Sequence, residues 1–305
     1  MDSLNNKNQQ QEGLINRVKS LLQGTIFFAV AQKILRLWFK LRNYKSSRRR
    51  LKDVEASLSA MRRSNETNFD DIMNFLFRMH PITHDPEISI ETEFPVALDS
   101  PDHLFPSGTV NDNTRKPRFV KTCVNHFDRN VSYLDLGCAG GGLVRNFLEQ
   151  GNLSVGVEGS DTSLNSLRAE WARIPFHLFT ADITKPFSLK NSNGKPLKFD
   201  VVGAWEVMEH LPESTIDQVL ENIRNHLAPG GIFTASVATF YIKNSNHHQC
   251  VHNEEWWHEK FKSKRLYPKI DQEIFTLEDF PRGASEHDWL PSQGLGFHIV
   301  CSGEE

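Results

Sequence analysis

Five short runs rich in β-branched and aromatic residues alternate with helical stretches between residues 131 and 237. The runs are VSYLDLG, SVGVEGS, FHLFTAD, FDVVGAW and GIFTASV, separated by segments such as LVRNFLEQG and ESTIDQVLENIRNHLAPGG. Because parallel neighbours need a crossover connection, usually a helix, this alternation predicts an α/β fold with a parallel sheet covered on both faces. Ala228, Pro229, Gly230 and Gly231 predict a helix stop and then a turn before the fifth run.

A glycine-rich loop joins the first predicted strand to the first helix. It reads D-L-G-C-A-G-G-G from Asp135 to Gly142. Glycine lets the backbone turn sharply and approach a ligand closely. Glu158 ends the next predicted strand, where a carboxylate can accept hydrogen bonds from both hydroxyls of a ribose. Together these features predict a nucleotide-like cofactor.

The loop departs from the dinucleotide fingerprint G-x-G-x-x-G, because Ala139 stands where the second glycine would be. The order D-x-G-x-A-G-G resembles motif I of the class I S-adenosylmethionine (SAM) methyltransferases. Glu158, Asp182 in FTADIT, FDVVGAWEVMEHL and NHLAPGGIF follow in that family's order between residues 130 and 240. The resemblance implies a Rossmann-like methyltransferase sheet with helices on both faces, to which this chain adds an N-terminal helical extension.

The resemblance also implies SAM as cofactor, with Glu158 on the ribose and Asp182 on the adenine amino group. SAM carries no phosphate, so an acid-lined site suits it better than a phosphate cradle. Asp135 either contacts the cofactor amino group through water or braces the loop. The expected cofactor-binding residues are Asp135, Gly137, Cys138, Ala139, Gly140, Glu158, Gly159, Asp182, Ile183 and Glu206.

Methyl transfer from a sulfonium is an in-line displacement, so positioning of the reactants is the main task of the protein. An oxygen acceptor also gains from a general base with a pKa near neutrality, which histidine provides. His210 follows the fourth predicted strand and is the first catalytic candidate, and His248 is the second. The open alternative for His210 is a histidine that fixes its loop by hydrogen bonds.

The same region suggests a metal-dependent alternative. Glu206, Glu209 and His210 match the E-x-x-E-H pattern of ubiquinone-pathway O-methyltransferases and of small-RNA 3′-terminal 2′-O-methyltransferases, where it helps to bind a divalent metal. His247, His248 or His252 offers a further ligand, and such a set suits Mg, Mn or Zn. The spacing is loose, so we expect no metal and keep Glu206, Glu209, His210 and His248 as the alternative set.

Three segments are expected in the chain: a basic extension at 1–66, a connector at 67–118 and the methyltransferase domain at 119–305. The connector includes DSPDHLFPSGTVNDNTRKPRF, which either forms a lid over the cofactor or is a plain linker. Within the domain, adjacent Trp256 and Trp257 cannot both face the core. Either one lines a substrate pocket, or Trp256 packs inward and Trp257 is exposed. Of the family's two final strands only GFHIVCS is convincing, and IFTLEDF is one candidate for the other.

The first 66 residues and the rest of the chain carry net charges of opposite sign. Residues 1–66 carry 14 Lys and Arg against 5 Asp and Glu, whereas residues 67–305 carry 21 against 33. The acidic part disfavours nucleic acid as a partner. Apolar residues recur every three or four positions from Leu14 to Leu41, which predicts a basic amphipathic helix. It either folds against the domain or contacts a membrane or a protein through residues 14–52.

Cellular location follows from weaker signals. The apolar stretch at 20–32 is shorter than the roughly 20 residues that a membrane span needs. Gln23, Gly24 and Thr25 interrupt it, which disfavours a signal peptide. The four cysteines lie far apart without a C-x-x-C pair, which indicates a reducing compartment. We therefore expect a cytoplasmic protein, with membrane association as the alternative.

Together these features predict a SAM-dependent transferase that methylates an oxygen of a small polar acceptor, such as a sugar or a related metabolite. A metal-assisted RNA 2′-O-methyltransferase is one alternative, since the basic extension and E-x-x-E-H favour it. A non-catalytic adaptor that docks to a membrane or a protein through its N-terminal helix is the other. The intact Asp135, Gly137, Glu158 and Asp182 argue against a degenerate site.

Overall fold

The computed structural model describes residues 85–240, 247–269, 274–282 and 296–303. All of them belong to the second of the two units into which the chain divides, His80–Glu305. The predicted basic extension and the first part of the connector lie outside the described residues, so those expectations stay predictions. Among the described residues, no helix combines the length and the apolar character that a membrane crossing requires.

A seven-stranded sheet lies at the centre of the described part, in the spatial order β4-β3-β2-β6-β7-β9-β8. Its strands are β2 (Ser132–Leu136), β3 (Leu153–Glu158), β4 (Leu178–Thr180), β6 (Phe199–Ala204), β7 (Leu227–Ala238), β8 (Tyr267–Pro268) and β9 (Gly296–Ser302). The first five pair in parallel, and β9 and β8 add an antiparallel edge. A separate antiparallel pair joins β1 (Ser89–Glu91) to β5 (Ser188–Lys190). The predicted parallel core is confirmed.

Helices cover both faces of the sheet. They are α1 (Pro101–Leu104), α2 (Ser107–Asn111), α3 (Pro117–Phe127), α4 (Gly142–Glu149), α5 (Thr162–Asn165), α6 (Ile216–His226) and α7 (Glu254–Ser263). Short 3-10 turns occupy Ala169–Ala172, Met208–His210 and Glu213–Thr215. Phe119 of α3 and Phe147 of α4 pack against Tyr133 on one face. On the other face, apolar residues of α6 and α7 pack on the sheet with Phe233. The predicted α/β class is confirmed.

Two local predictions are corrected. The predicted turn at 228–231 is instead an irregular part of β7, which starts at Leu227 and shifts its register against β6 between Phe199 and Val201. Beyond its long pairing with β7, β9 pairs with the two-residue strand β8 and not with IFTLEDF. In the latter segment, Asp279 accepts hydrogen bonds from the amide and the hydroxyl of Thr276, which closes a turn.

Candidate functional site

A cavity of about 630 Å³ opens beside the carboxyl ends of the parallel strands. This is the edge at which open α/β sheets bind ligands, and the strand order reverses here between β2 and β6. Part of its wall comes from residues 94–102 and from Thr109 and Asp112, in the segment for which a lid or a linker was expected. The backbone amide of Ala97 donates to the carbonyl of Gly159, which ties this segment to the end of β3.

The cavity brings together most of the residues expected to bind the cofactor. Those that line it are Gly137, Ala139, Glu158, Gly159, Asp182, Ile183 and Glu206. Asp135, Cys138 and Gly140 are buried close behind but do not form the wall. The expected set therefore divides into a layer that faces the cavity and a layer that supports it.

Two glycines of the loop are in close contact with neighbouring segments of the chain. Gly137 has a φ of +72°, and a Cβ there would lie 2.5 Å from a methyl carbon of Val207. A Cβ on Gly140 would lie 2.6 Å from the side-chain oxygen of Asn113. These positions exclude a side chain because a neighbouring segment approaches closely, whether or not a ligand does.

Glu158 lies at the end of β3 and holds the glycine loop in place. One carboxylate oxygen accepts a hydrogen bond from the Ala139 amide at 2.7 Å, and the other accepts from the Ser160 amide at 3.1 Å. Burial raises the pKa of Glu158, and the two amides oppose that rise. One side chain thus shapes the loop and presents acceptor oxygens at the cavity wall.

Asp182 lies at another part of the wall, just after β4. Its Oδ1 accepts from the amide and the hydroxyl of Thr184, at 2.9 and 2.6 Å. Its own amide donates to the carbonyl of Phe94. The ammonium of Lys185 lies 5.6 Å from the centre of the Phe94 ring, which is partly exposed. An aromatic face and a carboxylate therefore border the same part of the cavity.

Asp135 is held below the wall by a buried hydrogen-bond chain. The Trp205 indole donates to the Tyr133 hydroxyl at 3.0 Å, and that hydroxyl donates to Asp135 Oδ1 at 2.8 Å. Burial raises the pKa of Asp135 from 3.8 to about 8. This geometry favours bracing over direct contact with a ligand.

His210 lies in the cavity wall on the turn after β6. Its Nδ1 is buried without a hydrogen-bond partner among the described residues, and it lies 3.8 Å from Asp102 Oδ2. Burial lowers the pKa of His210, while the nearby Asp102 carboxylate opposes that change. The His248 ring centre lies 5.0 Å from that of His210. The two catalytic candidates are thus neighbours, although His248 itself does not line the cavity.

Glu209 is fully buried beside these histidines. Within the described part of the chain, neither of its carboxylate oxygens makes a well-formed hydrogen bond. Burial, and then the charge of Glu206, raise the pKa of Glu209 well above its ordinary value, and the backbone amides of Glu209 and Ala238 oppose that rise. A buried carboxylate with so few polar contacts is costly unless it is protonated or binds a cation.

The structure brings three members of the alternative metal set together. The ligand atoms of Glu209, His210 and His248 lie within 4.8 Å of one another. His248 Nδ1 lies 2.7 Å from the Phe240 carbonyl, a hydrogen bond that leaves Nε2 for another partner. The fourth member, Glu206, lines the cavity and donates its amide to Ser236. The donor set therefore fits a divalent cation chemically.

Sequence reasoning overlooked part of the wall. Arg282 reaches the cavity from the segment after α7 and forms an ion pair with Asp112. No local pattern marks Arg282, because its partner lies 170 positions earlier in the chain. Trp257 is buried, whereas Trp256 is partly buried and stacks on His252, so the alternative with an exposed Trp257 is wrong. Neither tryptophan lines the cavity.

Comparison with known sequences identifies one related domain. Residues 134–233 match a protein family described as "Methyltransferase domain". The ubiquinone biosynthesis O-methyltransferase of Pasteurella multocida (strain Pm70) is 28% identical over 116 residues, which cover 36% of this chain and 47% of that protein. The chain thus matches about half the length of that relative.

Comparison with solved structures finds further similar chains. A TehB-like SAM-dependent methyltransferase from Corynebacterium glutamicum is 15% identical, with a TM-score of 0.43, over 62% of this chain and 88% of the other. A SAM-dependent methyltransferase from Clostridium acetobutylicum is 13% identical, with a TM-score of 0.45, over 67% and 96%. The 1,6-didemethyltoxoflavin-N1-methyltransferase of Burkholderia thailandensis is 17% identical, with a TM-score of 0.45, over 67% and 84%.

Proposed function

We propose that this chain, whose residues 134–233 form a class I SAM-dependent methyltransferase domain, methylates an oxygen of a small polar acceptor such as a sugar or a related metabolite. One observation carries the proposal. Glu158, Asp182 and His210 line the same cavity, so acids suited to an adenosine share one space with a histidine suited to a hydroxyl. The O-methyltransferase relative supports oxygen as the acceptor atom.

The residues present fit the cofactor. Carboxylate oxygens of Glu158 would accept from the ribose hydroxyls, and the carboxylate of Asp182 would accept from the adenine amino group. The Phe94 ring, beside Asp182, offers a face for the flat adenine. When bound, SAM supplies a methyl group that is already activated on a sulfonium, so the chain has to align the reactants and exclude water.

His210 is the proposed base, and its tautomer follows from its contacts. Its ring hydrogen-bonds to the backbone of His247, and its Nδ1 has no hydrogen-bond partner among the described residues. Nε2 therefore carries the hydrogen, and Nδ1 keeps a lone pair. Because burial lowers the pKa of His210, the ring is neutral near pH 7 and Nδ1 can take the proton of an acceptor hydroxyl. Asp102 Oδ2 lies 3.8 Å from this atom, so the acceptor hydroxyl has to displace that contact.

The test begins with calorimetric titration of the chain with SAM and its demethylated product. A screen of sugars and other hydroxyl compounds with methyl-labelled SAM then seeks the acceptor. His210→Gln should lower kcat by about 10²- to 10⁴-fold without changing cofactor affinity, since it removes only the base. In the unaltered chain, activity should rise as pH passes the lowered pKa of His210 and level off below pH 7.

Two controls accompany this test. Glu213→Gln changes an exposed acid after the same turn, outside the cavity wall, and should leave kcat unchanged. A chain that ignores SAM but takes up NAD would refute the proposal. So would the absence of any methylated product from the whole hydroxyl screen.

A second candidate is metal-assisted methyl transfer. The buried Glu209 carboxylate, which makes no well-formed hydrogen bond among the described residues and lies beside His210 and His248, is the observation that favours it. Metal analysis of the purified chain, with Glu209→Gln and His248→Asn as variants, distinguishes the candidates. Bound metal that both variants lose, together with activity abolished by a chelator, would favour the metal. Activity that survives chelation would favour His210 acting as a base.

A further inference from the structure

The cavity wall is strongly acidic. Its acidic side chains are Asp99, Asp102, Asp112, Glu158, Asp182 and Glu206. Of the described residues in the wall, only Lys185 and Arg282 are lysine or arginine. The methionine end of SAM carries both an ammonium and a carboxylate. An acidic wall attracts the ammonium but repels the carboxylate, so the carboxylate needs one of these two cations.

The two cations occupy different parts of the wall. Lys185 lies over the Phe94 ring and follows Asp182 closely, in the part proposed for adenine. Arg282 forms an ion pair with Asp112. The Asp112 carbonyl would lie 2.7 Å from a Cβ on Gly140, so this pair adjoins the glycine loop. Arg282 is therefore the cation available at the loop.

Asp112 is fixed independently of Arg282. Its Oδ1 accepts from the amide and the hydroxyl of Thr114, at 2.9 and 2.6 Å. Its carbonyl accepts from Arg168 at 2.9 Å. These bonds engage Oδ1 and the backbone and direct Oδ2 toward Arg282. Contacts within the chain thus hold the carboxylate in place.

Contacts outside the cavity hold the segment that carries Arg282. Arg118 of α3 pairs with Glu278 at 2.7 Å and with Asp279 at 3.1 Å. Phe275 stacks on Phe119 with ring centres 5.2 Å apart. The guanidinium of Arg282 therefore projects into the wall from a segment held by other residues.

We propose that Asp112 and Arg282 bind the amino-acid end of SAM, an inference that rests on the proposed function. Arg282 holds the carboxylate, because a guanidinium offers forked donors that match its two oxygens. Asp112 holds the ammonium through Oδ2. When SAM binds, the direct contact between Asp112 and Arg282 is lost. Two contacts replace it, one between Asp112 and the ammonium and one between Arg282 and the carboxylate. Neither residue takes part in the methyl transfer itself.

The test compares three ligands by calorimetry on the full chain. SAM has both charged groups, decarboxylated SAM keeps the amine alone, and 5′-methylthioadenosine lacks the whole amino-acid end. Arg282→Gln should weaken binding of SAM by roughly 10- to 100-fold and leave the other two ligands unchanged. Asp112→Asn should weaken binding of SAM and decarboxylated SAM and leave 5′-methylthioadenosine unchanged.

Arg224→Gln is the matched control, because it replaces an exposed arginine of α6 that lies outside the cavity wall. It should bind all three ligands as the unaltered chain does. Equal losses for SAM and 5′-methylthioadenosine in Arg282→Gln would overturn the inference, and so would an equal loss of SAM affinity in Arg224→Gln. Unchanged SAM binding in both Asp112→Asn and Arg282→Gln would overturn it while leaving the proposed function intact. That function fails only if the unaltered chain does not bind SAM or transfer its methyl group.

Discussion

Buried acids support the cavity in different ways. Glu158 has amide partners on both oxygens, and Asp135 has the Tyr133 hydroxyl. Neither oxygen of Glu209 makes a well-formed hydrogen bond among the described residues. Burial raises the pKa of all three carboxyls, because the protein interior penalises the charged form of each. The positive charge of a SAM sulfonium or of a divalent cation would offset that penalty.

Asp135→Asn should remove a pH dependence of stability. Between about pH 4 and pH 8 the unfolded chain loses a proton that folded Asp135 keeps, so the free energy of unfolding falls as pH rises. Asparagine has no such proton. The free energy of unfolding of the variant, taken relative to that of the unaltered chain, should therefore rise by up to about 4 kcal/mol from pH 5 to pH 8. Urea unfolding at several pH values measures this difference.

Asp200→Asn is the control for this prediction. Burial opposes ionisation of Asp200, but hydrogen bonds from Arg129 and Ser132 outweigh it and lower its pKa. The ionised Asp200 stabilises the folded chain at any pH above its pKa in the unfolded chain. This stabilisation is lost only as pH falls through its pKa in the folded chain. The loss of unfolding free energy in Asp200→Asn should thus be constant from pH 5 to pH 8. Parallel curves for Asp135→Asn and the unaltered chain would contradict the prediction.

At the scale of elements, α4 depends on a buried ion pair beneath the glycine loop. Arg145 of α4 donates to Glu170 at 2.7 Å, and both side chains are almost fully buried. Arg173 and Asn113 donate to the same carboxylate. Next to this acid, the Trp171 indole donates to the Ala139 carbonyl at 2.8 Å. The pair therefore connects the start of α4 to the wall of the cavity.

Arg145→Met should destabilise the chain by about 3–5 kcal/mol, because it leaves a buried carboxylate without its closest cation. Denaturant unfolding measures the loss. Arg173→Met removes a longer and more exposed contact to the same carboxylate, at 3.1 Å, and should cost less than half as much. An Arg145→Met loss no larger than that of Arg173→Met would contradict this account. Adding Glu170→Gln to Arg145→Met should restore part of the stability, since the uncompensated charge is removed.

The strands that the sequence predicted well are those long enough to show a pattern of buried residues. β3 and β6 are buried along nearly their whole length because helices cover both faces of the sheet, and each was found within a residue or two. β8 has only two residues, which is too few for any periodicity. At residues 228–231 the glycines favoured a turn, and the register of β7 against β6 shifts here, from Leu227 opposite Phe199 to Ile232 opposite Val201. The sequence thus marked an irregularity in the chain but not that it lies inside a strand.

At the scale of the whole molecule, the cavity is assembled from segments far apart in the chain. The glycine loop and Glu158 could be predicted because their spacing follows one strand-helix-strand unit. The segment that holds Asp102 and Asp112 was predicted only as a lid or a linker, and Arg282 was not predicted at all, because each of these residues reaches the wall only after distant segments pack together. The part predictable from sequence is thus the side of the cavity proposed for adenosine, and the part revealed by packing includes Arg282 and the surroundings of His210.

The distribution of charge over the whole chain predicts how strongly it binds RNA. Residues 67–305 carry 21 Lys and Arg against 33 Asp and Glu, so this part should repel a phosphate backbone. The full chain, with its basic first 66 residues, should retain single-stranded RNA on a filter at low salt. Raising the salt from about 50 to 200 mM should abolish that retention, because it is purely electrostatic.

A chain that lacks residues 1–66 should not retain RNA at either salt concentration, yet it should bind SAM as the full chain does. The described residues, including those of the cavity, all lie in the second unit, His80–Glu305, so the shortened chain keeps the proposed cofactor site. Salt-resistant retention by the shortened chain would contradict the prediction. It would mean that the acidic part contains a local RNA-binding groove, and it would favour the RNA 2′-O-methyltransferase alternative over a small acceptor.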